Sequence, residues 1–198
     1  MSKSDPAAAK RERNKTIRWV VTIFIVTIFI SGTISLLSDL IMENSSMAVA
    51  FLILLAIILI GIIFDIIGMA VASADEKPFH SMAARKVPGA QEAIKLLRNA
   101  ERVSSICNDV VGDICGVVSG SASATIAAQI LNNLEYSWPQ LISLMMSALC
   151  AGLTVGGKAI GKTVAVNSAT EIVHAVGKLI FWLERIPRLL CAKKKNKR

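Results

Sequence analysis

Residues 47–74 read MAVAFLILLAIILIGIIFDIIGMAVASA, and this run decides the fold. Its whole length carries one ionisable side chain, Asp65. About 20 residues of helix cross a hydrocarbon core of roughly 30 Å, so the run spans a bilayer with turns to spare. Three further runs, 17–37, 103–131 and 140–166, are also long enough. The last two are less apolar and richer in Gly, Ala, Ser and Thr. Nothing alternates with period two, which argues against a β-barrel.

Composition agrees. Of 198 residues 54% are hydrophobic, yet the net charge is +8. The charges are segregated into the segments between apolar runs, whereas a soluble domain spreads them over its surface. The expected fold class is an all-α membrane protein of about four transmembrane helices, with amphipathic cytoplasmic juxtamembrane helices. Lys10-Arg11-Glu12-Arg13 before the first run resembles the start of a signal peptide. The apolar stretch from Trp19 to Ser38 is too long for that, and no small-residue cleavage site closes it. An uncleaved first span is expected.

Orientation follows from the loops. Lys3, Lys10, Arg11, Arg13, Lys15 and Arg18 precede the first run. Lys77, Arg85, Lys86, Lys95, Arg98 and Arg102 lie between the second and third, and Lys193, Lys194, Lys195, Lys197 and Arg198 end the chain. The other two loops carry Asp39, Glu43 and Glu135 without Lys or Arg. The positive-inside rule then places both termini and the middle loop in the cytoplasm of a multi-pass plasma-membrane protein. Tyr136 and Trp138 sit where interfacial aromatics belong.

Four regions result: a basic N-terminus 1–16; a first span with its outer loop 17–46; a main transmembrane region 47–187, including a cytoplasmic helical loop 75–103; and a basic tail 188–198. Within the loop, 90–103 reads as an amphipathic helix with Ala93, Ile94, Leu97 and Ala100 on one side, after punctuation by Pro78, Pro88 and Gly89. Residues 168–185 read as a second, through Ile172, Val173, Val176, Leu179, Ile180 and Leu183. Both are expected along the inner membrane face or capping the bundle. His80 and His174 read as surface packing, and the tail as a contact for anionic lipid headgroups. A nucleic-acid partner is not expected.

Few motifs carry chemistry. Cys107, Cys115, Cys150 and Cys191 have no metal-binding spacing and read as free thiols in a reducing compartment, with Cys191 also placed for S-acylation. Gly156–Thr163 matches the P-loop expression, but an apolar span precedes it and no strands exist to build the sheet. No hydrolase signature appears, so an enzyme is not expected, nor an organic cofactor. Gly112, Gly116, Gly120, Ala124 and Ala128 recur every four residues, as do Ala148, Gly152 and Gly156. Such stripes admit a close backbone, within one monomer or between two.

Depth is more informative. Asp65, Asn108, Asp109, Asp113, Lys158 and Lys162 all fall in the inner half of the expected spans. A charge in hydrocarbon costs on the order of 2.5–3.5 kcal/mol by insertion scales, so such groups face one another or water. Oxygen ligands of this kind suit Mg²⁺ or another hard cation. Equally, the acids neutralise Lys158 and Lys162 in a structural cluster.

From 64 to 187 the chain resembles the transmembrane domain of the CNNM/CorC/CorB family, associated with Mg²⁺ and Co²⁺ transport. Phe64-Asp65-Ile66-Ile67-Gly68-Met69-Ala70-Val71-Ala72-Ser73 is similar to its F-S-x-x-E-T-A-x-x-S helix. Gly89 with Ala93-Ile94-Lys95-Leu96-Leu97-Arg98-Asn99-Ala100-Glu101-Arg102 resembles its cytoplasmic helix. Gly157-Lys158-Ala159-Ile160-Gly161-Lys162-Thr163-Val164-Ala165 resembles its G-E-x-x-P-K-x-x-A segment. The resemblance implies a homodimer with an ion site near the inner face. Asp65 stands at the family's serine, Ser73 is kept, and Gly112-Asp113 or Asn108 takes the place of its Gly-Asn. Gly68 and Lys158 replace its glutamates, and Gly161 its proline. The first span is an addition, and the family's cytoplasmic CBS pair has no counterpart here.

The expected function is therefore a divalent-cation transporter or transporter-like protein, its metal site drawn from Asp65, Ser73, Asn108, Asp109, Gly112 and Asp113, with Lys158 and Lys162 beside it. The rival is a non-transporting membrane scaffold or partner subunit in which Asp–Lys pairs fill the former ion site. A small phage-type pore is a third reading, disfavoured by the long middle loop and the intramembrane charges. The partners expected are the lipid bilayer, a divalent cation and a second copy of the chain.

Overall fold

The computed structural model describes residues 6–43, 45–133 and 138–195. Glu135, Tyr136 and the last residues of the basic tail, Lys197 and Arg198, lie outside them, as does Lys3. So do the side chains of Glu43 and Cys191. Every element among the described residues is helical: α1 (Pro6–Glu43), α2 (Met47–Ser73), α3 (Lys77–Ala84), α4 (Ala90–Arg98), α5 (Ala100–Ser105), a π-helical segment (Ile106–Gly112), α6 (Asp113–Asn133), α7 (Pro139–Asn167) and α8 (Ala169–Lys195).

Four stretches are long and apolar enough to cross a membrane: Thr16–Met42, Met47–Ser73, Ala100–Asn132 and Gln140–Asn167. They match the four runs of the sequence to within a few residues. Their outward surface is covered with large apolar side chains such as Phe29, Leu52, Leu144 and Ile160, as a lipid-facing surface requires. The chain is thus a multi-pass helical bundle by length and composition.

Two cores hold it together. Near the α1–α2 hairpin, Met42, Ala50, Leu54, Ile58, Ala122, Ile126, Ala127, Met146 and Cys150 pack into one cluster. At the other end, Ala70, Val71, Phe79, Ala93, Ala165, Ala169 and Val173 form a second, joining α2 and α7 to the short helices and α8. The first is called the hairpin end below and the second the capped end.

The short helices differ from the sequence reading. The expected helix over 90–103 is two: Asn99, at φ −116° and ψ 27°, interrupts it between α4 and α5. Helix α3 was unforeseen because Pro78 reads as punctuation, but proline is well placed in a first turn, where its missing N–H costs nothing. Glu76, just before α3, accepts from Arg98 Nε at 3.0 Å and pairs with His80 at 3.1 Å. Gly89 enters α4 at φ +87°, and its Cβ position is filled by the Lys178 backbone, so α4 and α8 meet backbone to backbone. His174 Nε2 lies 3.3 Å from the Pro88 carbonyl at the same seam.

The first span also departs from expectation. The reading by hydropathy put Asp39 in a loop, whereas α1 continues to Glu43 and Asp39 packs on α6. Ser121 Oγ donates to Asp39 at 3.4 Å and Thr125 Oγ1 at 3.3 Å. Gln129 Nε2 donates to the Met42 carbonyl at 2.8 Å. This polar seam satisfies a carboxylate and a helix-end carbonyl where solvent is scarce.

Candidate functional site

Between the two cores lies a layer in which helices approach through glycine. Beside Gly61, an added Cβ would stand 2.8 Å from Cys115 Cβ; beside Gly161, 2.7 Å from Ile66 Cγ1. Gly157 likewise has no room against Ile62, and Gly68 none against Asn108. Helix α2 therefore contacts the π segment, α6 and α7 closely along the length that carries Asp65.

Gly112 organises the polar groups. It is buried, and the position its Cβ would take lies 3.4 Å from the Cys107 carbonyl oxygen, 3.4 Å from Lys158 Nζ and 3.5 Å from Asp65 Oδ1. Two other helices thus bring an ammonium and a carboxylate to one bare glycine face, beside the π segment's own carbonyl five residues before Gly112. Lys158 Nζ stands 3.7 Å from Asp65 Oδ1, with the side chains 26% and 20% exposed. That is an ion pair beyond hydrogen-bond length.

Asn108 lies in the same layer. Its Nδ2 donates to Ser104 Oγ at 3.3 Å, while its Oδ1 is buried without a hydrogen-bond partner. Buried acceptors are nearly always satisfied, and one left alone costs about 1–3 kcal/mol. Its neighbour Gly68 is the residue that makes room for it.

The other expected site residues are not gathered here. Asp109 is exposed and accepts from Ser105 Oγ at 2.8 Å, lining a polar recess with Glu101 and Ser104. Asp113 and Lys162 are exposed without an ion-pair partner among the described residues. Ser73 is exposed and returns its hydroxyl to the Met69 carbonyl at 2.8 Å. The six polar residues expected at one depth therefore divide: Asp65 and Lys158 meet over Gly112, Asn108 adjoins Gly68, and Asp109, Asp113 and Lys162 face outward. Among the described residues no three His, Cys, Asp or Glu side chains form a group able to hold a metal ion.

Among Cys107, Asn108, Asp109 and Gly112 the cause of this sorting is the π segment. Its i→i+5 pattern widens the turn relative to an α-helix, so helical spacing at 3.6 residues misplaces every side chain around it. It turns Gly112 and Cys107 inward and Asp109 outward. Composition carries no signal for such a segment, and the role of the Cys107 carbonyl could not have been read from side chains.

Two motifs resolve as well. Gly156–Thr163 lies inside α7, a continuous helix, so its amides are engaged in helical bonds and no phosphate-binding loop exists there. Beyond Gly112, which is packed, the small-residue stripes meet no other helix among the described residues: Gly116, Gly120, Gly152 and Gly156 have nothing within 4 Å of a would-be Cβ. Helix α6 instead buries Val118, Ser119, Ala122, Ser123 and Ile126.

No protein-family model matches this chain, and neither the curated proteins nor the solved structures contain a match to it.

Proposed function

We propose that the chain is a multi-pass membrane protein of divalent-cation-transporter type, with its capped end in the cytoplasm, in which Lys158 holds the cation position beside Asp65. The observation that carries this reading is the convergence of Asp65 Oδ1, the Cys107 carbonyl and Lys158 Nζ on the bare face of Gly112. Carboxylate, carbonyl and amide oxygens are the ligands a hard divalent cation takes. Asp65, Cys107 and the unsatisfied Asn108 Oδ1 are of those three kinds. The ammonium lies beyond hydrogen-bond length from the carboxylate, so an arriving ion of charge +2 competes with it on favourable terms. Mg²⁺ is the substrate this chemistry suits best. Ser73, Asp109, Asp113 and Lys162 fall outside the proposed ligand set, with Asp109 at the mouth of a separate recess. The proposal assigns no catalysis and no nucleic-acid partner. The bare stripes on α6 and α7 support a homodimer.

A non-transporting scaffold is the second reading. It is favoured by a lysine that already pairs with Asp65 at the position a cation would take.

Mg²⁺ flux into proteoliposomes separates the two, using wild type, Asp65→Ala and Lys158→Met. Transport predicts flux in the wild type, lost in Asp65→Ala and altered in Lys158→Met. Folded wild-type protein without flux leaves the scaffold.

A further inference from the structure

Helix α8 has two apolar faces, and only one is used. Ala169 and Val173 belong to the core of the capped end, and Gly177 abuts Gly89 and Ala93. At 100° per residue, a second arc of about 100° carries Leu179, Trp182 and Leu183. These side chains are 60%, 53% and 56% exposed. Lys178 and Arg185 border that arc next to Trp182, with Glu171 in line with them about two turns before Lys178. Arg185 is held 5.8 Å over the Phe181 ring, which meets Trp182 edge-on at 6.5 Å.

We infer that this second face of α8 docks on an anionic bilayer surface, with Leu179, Trp182 and Leu183 in the headgroup–acyl boundary and Lys178 and Arg185 on lipid phosphates. Position supports this partner. Only Ser168 separates α8 from the end of the α7 span, and Val173 shares a core with Ala70 and Val71 in the last turns of α2. The helix therefore starts at the boundary of the apolar length. Charge supports it too. A large apolar arc flanked on one side by basic side chains, with tryptophan at that edge, suits a helix lying on anionic lipid. One helix would then grip the bundle with its glycine face and the lipid with the other. The inference rests on the membrane reading and on nothing about transport.

The test uses the full chain in nanodiscs of phosphatidylglycerol or phosphatidylcholine. With Trp19→Phe and Trp138→Phe, Trp182 is the single remaining tryptophan of three. Its fluorescence is expected to be quenched by brominated lipid, shielded from aqueous acrylamide, and more so in phosphatidylglycerol. Lys178→Gln with Arg185→Gln should abolish the difference between lipids. Trp182 open to acrylamide and untouched by brominated lipid overturns the docking, and equal quenching in both lipids overturns the anionic partner. A companion variant keeping only Trp19, within the α1 span, reports insertion. Its quenching by brominated lipid separates failure of α8 docking from failure of the membrane reading.

Discussion

Lys158 Nζ stands 3.7 Å from Asp65 Oδ1 across the side of Gly112 that has no side chain. A partly buried pair of this kind contributes little against two well-packed neutral residues, but breaking it leaves a lone charge. Asp65→Asn or Lys158→Met alone is expected to cost about 2 kcal/mol, below the roughly 3–5 of a fully buried pair. The double variant should recover most of that loss. Thermal midpoints in detergent for the four proteins give the coupling, and simple additivity would mean the charges do not sense each other.

The glycines of the bundle fall into two groups that mutation should separate. Gly68→Ala must displace Asn108, and overpacking of this kind costs about 1–3 kcal/mol. Gly156→Ala meets open space and should stabilise the monomer by about 0.5–1 kcal/mol through helix propensity alone. Denaturation of each variant against wild type reads the contrast directly.

A homodimer through the bare stripes makes a different demand on the same surface. Gly120→Leu and Gly152→Leu should leave the monomer fold intact and abolish cross-linked dimer in membranes. Dimers that survive both changes would place the interface elsewhere.

Helix α1 is fastened to α6 by Asp39. Asp39→Leu removes the acceptor of Ser121 and Thr125, at a cost of about 1 kcal/mol. Hydrogen exchange is the discriminating measurement: amides near the end of α1 should lose protection while those of α2 and α7 keep theirs.

At the capped end, Gly177→Ala would push a methyl into the Gly89 carbonyl and to 3.1 Å from Ala93 Cβ. The expected result is separation of α8 from α4, read as increased protease access to α8, with the four long helices still folded.

How much of this was legible in the chain depends on the kind of signal. The long helices were, because each announces itself by an unbroken run of apolar residues, and Asp65 and Lys158 stood out as charges inside such runs. The end of α1 was not, since Asp39 and Glu43 lower local hydropathy and imitate a loop, while the satisfaction of Asp39 comes from α6, eighty residues on. Asn108 was a candidate for its residue type, but its unsatisfied oxygen depends on Gly68 in another helix. Asp109 lies in the π segment, where α-helical spacing does not hold, and Asp113 directly follows it. Lys162 shares the regular helix α7 with Lys158 and differs from it in having no partner carboxylate at its own position among the described residues.

That irregular stretch also fixes the phase of everything after it. Were all seven residues Ile106–Gly112 wound as ordinary α-helix, the stretch would hold about one residue more than its turns need. That surplus would turn the remainder of α6 by about 100° relative to α5. Ser121, Thr125 and Gln129 would swing off α1, and Ile126 off the core at the hairpin end. The wide turn thus absorbs one residue and sets which side of a whole long helix looks inward: a one-residue deletion there should let it close with the phase kept, whereas a one-residue insertion should turn α6 off its partners.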